Sequence, residues 1–209
     1  MSSSVSLSDA SLESLSGHIR RRRSIKPVDL DSTRQVDRVL LRTLLDNANQ
    51  APTHGLTEPW RFHVFQGAAR QELGEVMQQI YRAVTPPVEF KEDKFRKMAD
   101  STSQAPVVIA IVMARKGGAK IPELEEIEAV ACAVQNFHLS ACAAGLGGYW
   151  SSPALVYDRQ FADWLKLGPD DRCLGLFYLG WPKPGFNWPE SRRGRVEEKT
   201  VWHGEPVAS

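Results

Sequence analysis

The chain lacks a long apolar run. Its longest, PVVIAIVMA at 106–114, is less than half the roughly 20 residues that a membrane-spanning helix needs, so it is expected to be a buried strand. The opening MSSSVSLSDASLES has neither a basic start nor an apolar stretch, which excludes the pattern of a secretory signal. Cysteine is scarce. Cys132, Cys142 and Cys173 make an odd count, with no C-x-x-C spacing and no histidine at zinc-finger distance. They are expected to be reduced thiols packed as small apolar residues, in a cytoplasmic protein. A charge excess is absent as well: 26 Lys and Arg against 25 Asp and Glu leave a net +1. That gives no global attraction to nucleic acid or to an anionic membrane. Neither H-E-x-x-H nor G-x-S-x-G occurs, so neither a zincin site nor the usual serine-hydrolase elbow is supported.

What is present is an ordinary globular composition, 42% hydrophobic and 24% charged over 209 residues, enough for one domain with a real core. The serine-rich residues 1–10 are expected to be disordered, with a single domain over 11–209 whose tail is extended from about residue 182. Apolar spacing predicts helices near 11–22, 32–50, 68–84, 89–101, 122–144 and 158–167. Strands are expected at 61–67, 107–115, 146–150 and 172–181. The second half of the helix at 122–144, VACAVQNFHLSACAAG, is apolar nearly all round and reads as a central core helix. This order implies a mixed α and β sandwich around one sheet.

Three stretches carry candidate chemistry. HIRRRRSIKP (18–27) places arginines, a serine and a lysine at a helix end. Arginine forks onto phosphate with paired N–H donors and lysine adds a point charge. A solvated basic face is the plain alternative. A nucleic-acid patch is disfavoured by the small size, the balanced charge and the lack of interleaved aromatics. GLGGYWSSP (145–153) follows a helix and opens a strand, the reverse of a dinucleotide fingerprint. Gly145 is expected to be a left-handed helix cap, and Trp150, Ser151 and Ser152 offer donors to a flat ligand edge. QAPTHGLTEPW (50–60) combines two prolines, a glycine, a histidine and a carboxylate in one loop. Metal binding there has no second histidine to support it.

RRRSIKP, QAPTHGLTEPWRFHVF, GLGGYWSSP and LGLFYLGWPKP, in this order, resemble the nitroreductase family of FMN-dependent oxidoreductases over about residues 16–203. The resemblance implies an α+β sandwich, with a central, mostly antiparallel sheet flanked by helices, in an intertwined homodimer whose two FMN sites are each built from both subunits. It implies FMN contacts from Arg22, Arg23, Ser24 and Lys26, and from Trp150, Ser151 and Ser152. Gln50 and His54 would reach across from the partner chain, with Thr53 a weaker candidate, and Arg193 would supply a second phosphate contact. Trp60 would anchor the far end of the loop. NAD(P)H would serve as donor and a nitroaromatic, quinone or enone as acceptor in a ping-pong cycle, with no catalytic side chain required. A flavin-binding protein without turnover is the alternative, and residues 84–104 are a candidate lid.

Overall fold

The computed structural model describes residues 9–116 and 120–204. The segment expected to be disordered lies outside these up to residue 8, while its last two residues, Asp9 and Ala10, already belong to the first helix. The elements in chain order are α1 (Asp9–Arg21), α2 (Arg38–Ala48), β1 (Trp60–Gln66), α3 (Ala69–Val84), α4 (Glu92–Gln104), β2 (Val107–Met113), α5 (Glu123–Ala143), β3 (Gly147–Ser151), α6 (Arg159–Trp164) and β4 (Arg172–Gly180). Single 3-10 turns intervene at Pro27–Asp29, His54–Leu56, Ala154–Tyr157 and Glu197–Lys199.

The four strands form one sheet in the order β1-β2-β4-β3, every neighbouring pair antiparallel. β2 lies inside the sheet and is buried at all seven positions, which is why its sequence is continuously apolar instead of alternating. Its side chains still obey the strand's period of two. Val107, Ile109, Ile111 and Met113 join α2 and α5 on one face, and Val108, Ala110 and Val112 join α3 and α6 on the other. The result is helices on both faces of an antiparallel sheet, the α+β sandwich that the element order implies.

Boundaries differ where side chains cap the backbone. α2 begins at Arg38, not near Ser32, because the Asp37 carboxylate accepts from the N–H groups of Val39 (2.9 Å) and Leu40 (3.0 Å), two of the donors a helix start leaves open. Upstream, Asp31 accepts from both the N–H and the hydroxyl of Thr33, which holds that stretch as a turn. At the other end of the core, Gly145 (φ +83°) caps α5 as expected: Leu146 N–H donates to Ala141 O and Gly145 N–H to Cys142 O, the paired bonds of a Schellman cap. Of the three thiols, Cys142 and Cys173 are buried, but Cys132 is exposed on α5, so the expectation of packing fails for that one. On α5, Leu124, Glu128 and Gln135 are exposed as well.

Within the candidate lid at 84–104, residues Glu92–Gln104 form α4. α4 packs along α3, where Gly74 lets the two helices approach: a Cβ there would stand 2.6 Å from Thr102 Oγ1 and 3.0 Å from the Ala99 backbone. Thr102 is fully buried at this contact. Gly74→Val is therefore expected to cost about 1–3 kcal/mol through overpacking and to lower Tm by roughly 2–12 °C. A thermal melt at the wild-type midpoint would show that α4 is not held this way.

Candidate functional site

α1 ends as Arg22 N–H donates to His18 O (2.9 Å). The chain then runs extended beside β3: Ser24 bridges Gly148 in parallel, and Ile25 N–H donates to Gly148 O at 2.9 Å. The two glycines make this approach possible. A Cβ on Gly147 would lie 2.9 Å from the buried side chain of Ile25, and one on Gly148 would lie 2.5 Å from the ring of Phe177. The glycine run thus has a packing reason, and it joins the arginine motif to the YWSS segment at the edge of the sheet.

Beneath this junction, α5 presents His138. Its Nε2 lies 3.2 Å from Arg23 O, and its ring packs edge-on against Phe177. Burial, reinforced by the nearby Arg22 charge, pushes its pKa down to about 4. At neutral pH the ring is uncharged, with one N–H to give to the Arg23 carbonyl.

The arginines then separate into two roles. Arg22 has its pKa lowered, first by burial and then by the charges of Arg193 and Arg23. Arg193, from the tail, is therefore close enough for its charge to be felt at Arg22. Among the described residues neither Arg22 nor Arg193 has a carboxylate partner. Like charges gathered without a counter-charge are unfavourable until an anion joins them. Arg23 is already committed: its Nε donates to Pro189 O at 2.8 Å and its Nη1 to Arg20 O and Arg22 O at 2.5 and 2.6 Å. With Arg21 stacked over Trp188, 5.3 Å from the ring centre, Arg23 fastens the tail across the motif.

On β3, alternation divides the YWSS side chains. Trp150 faces the α5 core, and its Nε1 donates to Leu174 O at 3.2 Å. The Ser152 hydroxyl donates to the same carbonyl, also at 3.2 Å. That carbonyl is free because β4 bulges against β2: Val112 pairs with Cys173 and Ile111 with Gly175, which leaves Leu174 over. Trp150 and Ser152 therefore lock the local backbone. Ser151 points the other way, into a cleft of about 400 Å³ shared with Lys26, Tyr149 and Tyr178 and roofed by Lys97 and Asp100 of α4.

Of the loop candidates, His54 lies apart from these groups. His54 Nδ1 meets Glu125 Oε2 at 2.5 Å, at the first turn of α5. Glu125 is separated from His138 by thirteen positions of that helix, on the order of 20 Å at 1.5 Å per residue. One chain thus keeps His54 far from its own arginine motif. Gln50 is exposed just past α2, on the flank where Asn47 donates to Ser140 Oγ at 2.9 Å. Thr53 bonds hydroxyl to hydroxyl with Thr57 at 3.0 Å. Trp60 is the buried anchor expected, its Nε1 donating to Asn49 Oδ1 at 2.8 Å. Two residues of this neighbourhood escaped the sequence reading. Lys97 was one lysine of a polar helix, and only the packing of α4 brings it to one cleft with Lys26. His138 had a faint signal, a histidine inside an otherwise apolar helix.

The model of the nitroreductase family matches residues 19–181, a span that includes the arginine motif, the loop, α5 and β3. The chain belongs to the nitroreductase family. By that membership it is an oxidoreductase. Over 144 residues, 68% of this chain and 76% of its relative, it is 29% identical to YdjA of Escherichia coli K12, a protein provisionally named as an NAD(P)H nitroreductase. The crystal structure of a nitroreductase-like family protein from Bacillus cereus superimposes with a TM-score of 0.74 at 26% identity, covering 97% of this chain and 98% of the other. The FMN-dependent nitroreductase NfnB from Mycobacterium smegmatis, solved in complex with NADPH, gives a TM-score of 0.70 at 16% identity over 92% of this chain and 99% of that one. At that identity the likeness is one of fold. Among the described residues no helix is long and apolar enough to cross a membrane.

Proposed function

We propose that this nitroreductase-family chain, acting as one domain from residue 11 onward, binds FMN and uses NAD(P)H to reduce electron-poor acceptors such as nitroaromatics and quinones. The observation that carries this is Arg22, partly buried two residues before the Ser24–Gly148 bridge, within reach of the Arg193 charge and, among the described residues, without a carboxylate partner. A phosphate monoester supplies the missing charge and accepts paired guanidinium N–H bonds. Arg22 and Arg193 would hold the phosphate, with the Ser24 hydroxyl beside them. Lys26, two residues on and lining the neighbouring cleft, would face the pyrimidine edge of the flavin and offset negative charge there. When bound, FMN supplies the two-electron relay between donor and acceptor. Trp150 and Ser152, tied to Leu174 O, fix the strand end against which the ring would lie. Donor and acceptor using one space in turn gives ping-pong kinetics.

The site is completed by a second copy of the chain. His54 lies far along α5 from Arg22, as measured above, so its contact to flavin requires the partner's loop. Apolar surface supports the same reading. Leu12, Leu15 and Ile19 share one face of α1, yet they are 66%, 51% and 49% exposed. An unpartnered apolar face of this kind marks an interaction surface. Leu15→Glu with Ile19→Glu is expected to turn a dimer into a monomer in sedimentation and to reduce FMN retention at least tenfold. A double variant that stays dimeric with full FMN would remove α1 from the interface, and a wild-type monomer that keeps FMN would overturn the shared site.

The direct test is the visible spectrum of the purified protein after FMN addition and gel filtration, followed by anaerobic NADH or NADPH. Retained flavin bands that bleach support the oxidoreductase. Retained bands that do not bleach favour a binding protein without turnover. A colourless protein that refuses FMN defeats the proposal.

A further inference from the structure

The face of β3 opposite Trp150 opens on a second space that the cofactor residues do not use up. The cleft at Lys26 is continued by another, of about 320 Å³, between α3, α4 and the turn after β3. Lys97, Ser101, Ser151 and Tyr178 wall both. The far end is lined by Met77, Tyr81, Lys94, Met98 and Leu155. Each cleft has the size of a small-molecule site.

The chemistry of the walls is uneven in a useful way. Three ammonium groups, Lys26, Lys94 and Lys97, border the combined trough, and Asp100 is the one carboxylate that lines it. Among the described residues none of the three lysines is in an ion pair. Apolar and flat side chains share the walls of the two clefts with these cations. Met77 is buried, Tyr178 is buried enough for its hydroxyl pKa to be pushed up, and Tyr149 stacks on it with ring centres 6.3 Å apart. Methionines and tyrosines accept a planar body, and cations beside a partly apolar wall attract an anion more strongly than they would in open water. α4, which borders the trough, packs closely on α3 at Gly74 and Thr102.

We infer that the trough beyond Ser151 is the acceptor site, and that the acceptor is a planar aromatic or quinoid acid whose anionic group is gripped by Lys94 and Lys97. This rests on the oxidoreductase reading, which assigns Lys26 to the flavin edge and leaves the Lys94 end vacant for a second molecule. For a nitro acid the overall step balances as follows. NAD(P)H gives a hydride and solvent a proton, the nitro group becomes nitroso, and water and NAD(P)+ are released. The anionic groups of NAD(P)H share the same chemistry, so the test must separate donor from acceptor.

The probes are 4-nitrobenzoate and its neutral isostere 4-nitrobenzamide. In the FMN-loaded wild type, kcat/KM is expected to favour the benzoate about tenfold, the scale of one charge-assisted contact. In Lys94→Met with Lys97→Met the preference is expected to fall to about one. In parallel, calorimetric titration of 4-nitrobenzoate into the same proteins, without any donor, is expected to show binding to the wild type and at least tenfold weaker binding to the double variant. No preference for the acid in the wild type overturns the inference, as does a preference that survives in the variant. A variant in which only the KM for NADPH rises assigns the lysines to the donor and likewise overturns it. Failure to retain FMN would defeat the functional proposal, whereas the donor-free titration would still report on the trough.

Discussion

Arg22→Ala combined with Arg193→Ala is expected to weaken FMN binding by roughly a thousandfold. Each guanidinium would contribute charge-assisted bonds worth about 1.5–3 kcal/mol, and every 1.4 kcal/mol is tenfold in affinity. Arg22 bears the larger share because it is the partly buried member, already depressed by its neighbours' charges. Arg23→Ala should behave differently. Its guanidinium is committed to the carbonyls of Pro189, Arg20 and Arg22, so its loss should loosen the tail and cost FMN affinity only through Arg193. Fluorescence titration of FMN into the three variants orders them. Wild-type affinity in the Arg22 and Arg193 double variant would mean that the phosphate sits elsewhere.

Stability is expected to fall by about 2–3 kcal/mol between pH 7 and pH 4.5 through His138 alone. The folded protein holds this ring near pKa 4 against an ordinary 6.5, because burial and the Arg22 charge penalise the cation. In this interval the unfolded chain binds a proton that the native state refuses, so acidification favours unfolding. The neutral form's stability is complete above about pH 6.5 and is lost as pH drops toward about 4. Urea melts at both pH values measure it. His138→Gln retains a donor for Arg23 O and removes the titration, so its loss over the same interval should be smaller by that amount. Equal losses in wild type and variant would show that His138 is not held neutral.

Much of this site was readable because its parts are compact in sequence. RRRSIK gathers side chains that suit an anion, whereas the packing reason for Gly147 and Gly148, the contacts a Cβ would make with Ile25 and Phe177, emerged only from the fold. The helix cap at Gly145 was legible because it depends on residues only a few positions away. The start of α2 was misplaced because apolar spacing continues upstream, and only the Asp37 carboxylate decides which residue begins the helix. The exposure of Cys132 was missed because periodicity shows that a helix is largely apolar without showing which turns its neighbours reach.

The sequence by itself determined the elements, the wholly buried central strand and the clustering of arginines, a serine and a lysine that suits an anion. These follow from local patterning and from side-chain chemistry, and they do not depend on distant neighbours. The tertiary structure decided which of those residues act together. It brought Arg193 of the tail within electrostatic reach of Arg22, turned Arg23 away to clasp Pro189, and set Lys97 and Lys26 on one cleft. It also placed His54 at the opposite end of α5 from the motif. The reason is physical. Pairings between residues far apart in the chain are fixed by how helices and strands pack on the sheet, and no local spacing encodes that packing.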